Sequence, residues 1–338
     1  MRVYARIEAE ELQNVPAQAQ RAEALGYDGV GIQENAFDAF LYAALAAEHT
    51  RRVAVATHIA VAFARSPMLA AYAAWDIQRL SGGRFELGLG TQVKGHIERR
   101  FSNVWSAPAP RMREYAQSLR AIWDSWQNGT PLDYRGDHYS FTLMPPAYVP
   151  PPLPYPPIPL YTAAVGPGMS QVAGELFDGL IIHRFSTVSY TREVILPALE
   201  RGLGKSGRSN TASMEVTGGG FIITGATEAE VASGRERARG QIAWYASTRT
   251  YKRVMDHHGW GEVCLRLHRM SLEGRWDAMS SEVTDEMLDA FCVCGTYDDI
   301  AAEVRERYGD YATIISLGMP VDQRQDGKFG ALLEELRR

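Results

Sequence analysis

The sequence predicts an α/β fold, a closed (β/α)8 TIM barrel, from three observations. Its 338 residues, 46% of them hydrophobic, are enough to bury one large core. Eight short runs are apolar almost without interruption, which is typical of parallel strands that are buried on both faces. Most of these runs are separated by helical stretches, as a parallel barrel requires. A doubly wound open sheet is the alternative that the same pattern allows.

The first elements carry clear start and stop signals. The predicted barrel strands are residues 3–7, 29–33, 53–62, 85–89, 160–164, 179–183, 216–224 and 313–317. In the first helix, Asn14 is the predicted N-cap, Pro16 lies in the first turn and Gly26 ends the helix. The residues predicted to face inward from this helix are Ala19, Ala22 and Leu25.

The next clear boundary is the stretch 80–91, which joins a helix end to a strand and a loop. Ser66 and Pro67 open the preceding helix, and Gly82 with Gly83 provides a left-handed C-cap. The apolar stripe predicted for this helix is Leu69, Ala73, Ile77 and Leu80. Within strand 85–89 and just after it, glycines 88 and 90 remove side chains, either for the approach of a ligand or only for packing between barrel layers.

Two segments interrupt the alternation within a single predicted domain, residues 1–338. Residues 134–159, after the fourth strand, begin with a predicted hairpin, and nine of the 17 prolines of the chain then make 145–159 an extended strap. Residues 248–291, near the seventh strand, contain two predicted helices. Loops that follow barrel strands carry the chemistry of this fold, so we expect one or both insertions to cover the site.

Composition excludes several function classes. The net charge of -5 provides no basic field for nucleic acid or for an anionic membrane. No run of 18 apolar residues exists, and the chain enters its first strand without a leader, so we expect a cytoplasmic protein. Cys292 and Cys294 share one face of an apolar strand, which favours core packing over metal or redox work. Adjacent His257 and His258 cannot both face one ion from a regular helix, so no metal site is expected.

Four sequence motifs are distributed along most of the chain. They are AEALGYD at 22–28, RSP at 65–67, SGGRFELGLG at 81–90 and VAGELFDGL at 172–180. Together they resemble the bacterial luciferase-like superfamily, specifically its branch of coenzyme F420-dependent oxidoreductases. The segments QVKGHIERRF at 92–101 and WYAST at 244–248 are similar to a subgroup of deazaflavin-dependent oxidoreductases.

This resemblance implies a flavin or deazaflavin at the C-terminal ends of the barrel strands. The ring would rest on a bulge after strand three, with a non-prolyl cis peptide between His58 and Ile59. The cofactor phosphate would lie at the helix start that contains Gly166, Gly168 and Met169, where free backbone N–H groups favour an anion. Two residues after strand four, Thr91 and Gln92, would bond the ring edge or the ribityl chain.

Candidate catalytic residues follow strands two and four. Glu34 and Asn35 stand where the family places polar groups over the reactive face of the cofactor, whereas sugar-phosphate dehydrogenases of the branch have an aspartate followed by a histidine there. His96 is the other acid/base candidate, with a solvated loop histidine as the alternative interpretation. We therefore predict proton transfer by His96 or Glu34 and cofactor contact by Asn35.

The predicted function is F420-dependent hydride transfer to or from a small organic substrate. Two alternatives stay open, namely an FMN-dependent monooxygenase that uses reduced flavin and oxygen, and a non-enzymatic flavin-binding barrel. The expected partners are a small-molecule substrate and further copies of the chain in a homodimer or higher homo-oligomer.

Overall fold

The computed structural model describes residues 1–208 and 214–338, and its centre is a closed barrel of eight parallel strands. We number the barrel strands β1 (Arg2–Ile7), β2 (Gly29–Ile32), β3 (Ala54–Thr57), β4 (Phe85–Gly90), β5 (Leu160–Ala164), β6 (Gly179–Ile182), β7 (Glu215–Thr217) and β8 (Ile314–Leu317). Each strand pairs with the next, and β8 pairs with β1. The closed barrel confirms the predicted fold class and excludes the open sheet.

Helices surround the barrel and fill its connections. The α-helices are Val15–Leu25, Ala39–His49, Pro67–Ser81, Lys94–Arg99, Pro108–Asn128, Pro167–Leu176, Val188–Tyr190, Leu196–Lys205, Glu228–Ala246, Lys252–His257, Gly261–Leu272, Asp285–Phe291, Ile300–Tyr308 and Asp326–Arg337. A π-helical turn spans Thr191–Ile195, and short 3-10 turns are Leu12–Asn14, Ala62–Ala64, Pro146–Tyr148, Arg249–Tyr251, Trp276–Glu282 and Gln323–Gln325. Strands outside the closed ring are Ala60–Val61, Tyr134–Arg135, Ser140–Phe141, Phe221–Gly225 and Cys292–Thr296.

The predicted helix boundaries are confirmed where a glycine or proline sets them. The first helix begins at Val15, next to Pro16, and ends at Gly26, which is left-handed with φ 95°. Asn14 precedes this helix, but its side chain makes no capping hydrogen bond. In the helix Pro67–Ser81, the Ser66 hydroxyl accepts the N–H of Met68 at 3.2 Å.

The inward face predicted for the helix Pro67–Ser81 is confirmed at Ile77 and wrong at Leu69 and Leu80. Leu69 and Leu80 are 64% and 45% exposed, whereas the buried positions include Ala70, Ala74 and Ile77. The helix is rich in alanine, so apolar residues lie all around it and periodicity alone does not choose a face.

The two glycines of β4 serve packing within the barrel. A Cβ on Gly88 would collide with the carbonyl oxygen of Thr57 in β3. A Cβ on Gly90 would lie 2.6 Å from Cδ1 of Ile59. Of the two interpretations that the sequence left open, the structure therefore supports close packing between neighbouring strands.

The predicted strand 216–224 is two strands, not one. The chain leaves the barrel after Thr217, turns at Gly220 with φ 82°, and forms the strand Phe221–Gly225 outside the ring. This strand pairs in parallel with Cys292–Thr296, so Cys292 is buried there. Three consecutive glycines, 218 to 220, break the apolar run, and Gly219 has no space for a side chain because its Cβ would lie 2.7 Å from Ile182.

Only the second of the two insertions reaches the barrel mouth. The predicted hairpin forms between Tyr134–Arg135 and Ser140–Phe141. The proline strap that follows runs along the helix Pro67–Ser81, where the indole N–H of Trp75 donates to the carbonyl oxygen of Pro151 at 3.1 Å. Residues from 248 onward instead extend over the C-terminal ends of the strands. Among the described helices, none combines the length and the apolar character needed to cross a bilayer.

Candidate active site

A cavity of about 580 Å³ opens at the C-terminal ends of the barrel strands. The predicted site residues that line it are Glu34, Asn35, His58, Ile59, Gln92 and His96. The predicted site residues outside its lining are Thr91, Gly166, Gly168 and Met169. The structure therefore brings together the residues after β2, β3 and β4, and it leaves the predicted phosphate turn beside the cavity.

The cavity floor includes a bulge that interrupts the third strand. Strand β3 ends at Thr57 and pairing resumes at Ala60–Val61, and the peptide bond between His58 and Ile59 is cis, as predicted. The N–H of His58 donates to the carbonyl oxygen of Ile32 at 2.7 Å, and the carbonyl oxygen of Ile59 accepts the N–H of Glu34 at 3.1 Å. The bulge is therefore hydrogen-bonded to the end of β2.

The Glu34 carboxylate holds the residues that follow the bulge in the chain. One of its oxygens accepts the N–H of Val61 at 2.5 Å, and its two oxygens accept two N–H groups of Arg65 at 2.6 Å each. Burial lowers the pKa of Arg65, but hydrogen bonding and charge from Glu34 outweigh it and raise the pKa overall. Glu34 is only 8% exposed, so its carboxylate is largely committed to these partners.

His58 is a neutral ring at the cavity floor. Burial, with the charge of Arg2, lowers its pKa to about 4. The ring stacks on Tyr4 with centroids 5.6 Å apart. Among the residues that the structure describes, the buried Nε2 atom of His58 has no hydrogen-bond partner. One polar atom beneath the cavity is therefore unsatisfied by the protein.

The loop after β4 forms the rim of the cavity. Gln92 adopts a positive φ of 58° at its start, and His96 stands exposed on the short helix Lys94–Arg99. The guanidinium of Arg100 donates to the backbone carbonyl of Asn35, which joins this loop to the one after β2. The hydroxyl of Thr91 donates to the carbonyl oxygen of Gln92 at 3.0 Å, so Thr91 stabilises the turn itself.

The predicted phosphate turn lies at the C-terminal end of β5. Gly166 precedes the helix Pro167–Leu176 and provides no side-chain cap. Gly168 and Met169 lie in its first turn, where backbone N–H groups have no intrahelical acceptor. The guanidinium of Arg253, from the second insertion, occupies the space where a Cβ on Gly166 would stand. A cation that the sequence did not predict therefore adjoins the positive end of this helix.

The cavity lining also contains polar and aromatic residues that were not predicted from the sequence, among them Arg6, His183, Arg184, Tyr245 and Tyr251. Three of them, Arg6, His183 and Arg184, stand at or just after the ends of barrel strands, where a barrel presents side chains to its mouth. Their location at the ends of predicted strands is the sequence feature that could have identified them. Tyr245 lies in the segment 244–248, which is similar to a subgroup of deazaflavin-dependent oxidoreductases. That similarity implied no role for Tyr245.

His183 belongs to an aromatic cluster that covers the cavity. Burial and the nearby Arg184 lower its pKa to about 4, so the ring is neutral. Its Nδ1 accepts the N–H of Phe185 at 3.0 Å, which leaves the proton on Nε2, 3.3 Å from the hydroxyl of Tyr251. The imidazole stacks on Tyr251 with centroids 4.8 Å apart.

Comparison with known proteins matches this architecture. The sequence profile of the family described as luciferase-like monooxygenase matches residues 1–313. An uncharacterized protein of Mycobacterium tuberculosis strain H37Rv is 44% identical over 333 residues, which cover 96% of this chain and 97% of that protein. The 5,10-methylenetetrahydromethanopterin reductase of Archaeoglobus fulgidus is 28% identical over 310 residues, covering 89% and 87% of the two chains.

A solved structure extends the comparison to the fold. The coenzyme F420 dependent tetrahydromethanopterin reductase from Methanopyrus kandleri has a TM-score of 0.80 with this chain at 17% identity, covering 99% of this chain and 98% of that one. The barrel and the profile over residues 1–313 lead to one conclusion. This chain belongs to the luciferase-like monooxygenase family.

Proposed function

We propose that this chain is an F420-dependent oxidoreductase that transfers a hydride to or from a small organic substrate. The observation that carries the proposal is the bulge at His58 and Ile59 in the cavity lining, with the helix start at Gly166 two strands further round the barrel. The Methanopyrus reductase, which has this fold, depends on coenzyme F420. The sequence relative from Archaeoglobus fulgidus is also a reductase.

The residues present fit such a cofactor. Ile59 offers an apolar surface to a ring, and the neighbouring His58 has a buried Nε2 atom that no described residue hydrogen-bonds. The first-turn N–H groups of Gly168 and Met169, together with Arg253, suit a phosphate because charge and donors converge there. When bound, the cofactor supplies a ring carbon that accepts or donates a hydride.

The residues of the chain then provide position and a proton. We assign proton transfer to His96, because its imidazole is exposed at the cavity rim and is accessible to a substrate. We assign Glu34 to positioning, because its carboxylate already accepts hydrogen bonds from Val61 and Arg65. Asn35 and Gln92 line the cavity beside the bulge and are proposed to contact the cofactor.

Titration with F420 and, separately, with FMN tests the proposal. We expect F420 to bind, as measured by its absorbance and fluorescence, and the mass of any co-purifying small molecule to agree with it. The alternative, a monooxygenase that uses FMNH2 and O2, is supported by the description of the family. Binding of FMN alone, with O2 consumption by the reduced complex, would favour that alternative. Binding of FMN with no turnover and no O2 consumption would favour the non-enzymatic flavin-binding barrel, and binding of neither cofactor would overturn the proposal.

The predicted assembly and location are also proposals. We propose a homodimer or higher homo-oligomer, since Leu41 and Leu69 on neighbouring helices are 59% and 64% exposed. Light scattering during size-exclusion chromatography measures the mass, and a monomer at micromolar concentration would contradict the proposal. The cytoplasmic location stays a prediction.

A further inference from the structure

Two arginines line the part of the cavity that the proposed cofactor does not use. Arg6 lies near the end of β1, and Arg184 follows β6 by two residues. The bulge of β3 and the turn after β5 lie on one contiguous arc of the barrel, β3 to β5. Of the other five strands, β2 precedes Asn35, a proposed cofactor contact, and β6, β7, β8 and β1 form the arc that carries the two guanidinium groups.

Neither guanidinium group has a strong carboxylate partner. In the described ranges 1–208 and 214–338, no carboxylate lies within ion-pair distance of Arg184, whose guanidinium lies over the ring of Phe221 at 4.4 Å. Arg6 approaches only Glu8, at 3.4 Å, and that carboxylate is 73% exposed, so water screens the pair. The atom of Arg6 that approaches Glu8 is Nε, which is buried and makes no hydrogen bond to any residue in these same ranges.

The two positive charges also act on each other. Burial and then the charge of Arg6 lower the pKa of Arg184 to about 10, which still leaves it protonated at neutral pH. Two like charges in a partly buried cavity repel, and an anion between them relieves that repulsion. Guanidinium groups match the oxygens of carboxylate and phosphate in bidentate geometry.

The rest of this arc suits an organic molecule with one charged end. The hydroxyl-bearing residues Thr217 and Ser316 line it on β7 and β8. Ile222 and Tyr245 provide apolar surface beside the arginines. A ligand that extends from the arginines toward the bulge at Ile59 would therefore contact apolar groups along its length.

We infer that the substrate of this site is a small organic anion whose carboxylate or phosphate group binds between Arg6 and Arg184. The inference rests on the proposed function in one respect, since the cofactor is assigned to the β3 to β5 arc. The Gly166 turn with Arg253 is a second anion site in the cofactor-free protein, and the test separates the two.

Calorimetric titration of inorganic phosphate and of acetate, in parallel, into cofactor-free and F420-saturated protein tests the inference. In both forms of the protein, we expect Arg184→Gln and Arg6→Gln each to weaken binding of the preferred anion by about tenfold or more, because a charged hydrogen-bond donor is lost. Arg184→Lys, which keeps the charge, is expected to retain part of the affinity. The matched control is Arg201→Gln, since Arg201 is exposed on the helix Leu196–Lys205, and it should change nothing.

Arg253→Gln distinguishes the two sites. It should remove a class of phosphate sites from the cofactor-free protein and leave anion binding by the F420-saturated protein unchanged. Absence of binding of either anion at millimolar concentration, or binding that ignores Arg6 and Arg184 in folded variants, overturns the inference. If F420 does not bind but Arg184-dependent anion binding persists in the cofactor-free protein, the proposed cofactor is wrong and the anion site stands.

Discussion

Replacing Glu34 with alanine tests whether its carboxylate holds the bulge beneath the cavity. The change leaves the buried N–H of Val61 without an acceptor, which costs about 1–3 kcal/mol. It also removes the main partner of Arg65, whose side chain is 17% exposed. Breaking a buried ion pair costs about 3–5 kcal/mol, but Asp38 at 3.0 Å still pairs with Arg65. We therefore expect Glu34→Ala to lower the free energy of unfolding by about 3–4 kcal/mol in total.

Denaturant unfolding at pH 7, with cofactor titration of the folded protein, measures both effects. Glu34→Gln keeps an oxygen acceptor for Val61, so its loss should be smaller, about 1–2 kcal/mol. The control Glu48→Ala removes an exposed carboxylate from the helix Ala39–His49 and should change stability by less than about 0.5 kcal/mol. In the folded Glu34→Ala protein, cofactor affinity should also fall, because the bulge loses the hydrogen bonds that Glu34 accepts from Val61 and Arg65.

Two results would refute this reasoning about Glu34. Wild-type stability and cofactor affinity in Glu34→Ala would mean that the bulge does not depend on the carboxylate. Normal stability and affinity with turnover reduced by about 100-fold or more would instead identify Glu34 as a proton-transfer group.

Three further predictions concern the rim, the phosphate turn and the buried histidines. His96→Ala should lower turnover by about 100- to 10,000-fold with little change in cofactor affinity, whereas exposed His138→Ala should change neither; normal turnover of His96→Ala contradicts the assignment. Gly168→Pro deletes one N–H and should raise the Kd for the cofactor by about tenfold, while Gly168→Ala, whose Cβ has only an ordinary 3.9 Å contact, should not; equal Kd values would refute the phosphate site. The pKa values of His58 and His183 in the folded protein are about 4, below the ordinary 6.5. On acidification the unfolded chain therefore binds protons at these histidines before the folded protein does. The free energy of unfolding should fall between pH 6.5 and pH 4 by up to about 1.4 kcal/mol per pH unit for each histidine. Unfolding measured from pH 7 to 4 should show a shallower fall for a folded His183→Gln protein, and an identical pH dependence would contradict the buried neutral state.

Much of the barrel was predictable because its information is local. Continuous apolar runs mark strands that are covered on both faces, and capping residues such as Ser66 and Gly82 act on their own helix ends. The split of run 216–224 was not predictable, since the apolar pattern continues through the glycines and only the strand Cys292–Thr296, far along the chain, pairs with its second half. The buried face of an alanine-rich helix likewise depends on its neighbours.

The site residues that lie in or next to the family motifs could be predicted from the sequence, and the other site residues could not. The motifs led to the bulge and to the loops after β2 and β4, and those side chains do meet in one cavity. The guanidinium of Arg253 reaches Gly166 only through the packing of the second insertion against β5, so no local pattern indicates the contact. Arg6 and Arg184 are far apart in the sequence and come together only because β1 and β6 open into the same cavity, which is a property of the folded state.

The pairing of Phe221–Gly225 with Cys292–Thr296 has a consequence for how this barrel can change. The segment 226–291 starts at the end of one of these strands and ends at the start of the other, so it is an excursion whose two ends are held by one parallel strand pair. Lengthening or replacing such an excursion adds little closure entropy, because the distance between its ends stays the same. The aromatic cover of the mouth can therefore be exchanged while the registers of the eight barrel strands are conserved. Tyr245, Tyr251 and Arg253 belong to this exchangeable excursion, whereas the bulge at His58 and Ile59, Arg6 and Arg184 belong to the barrel itself.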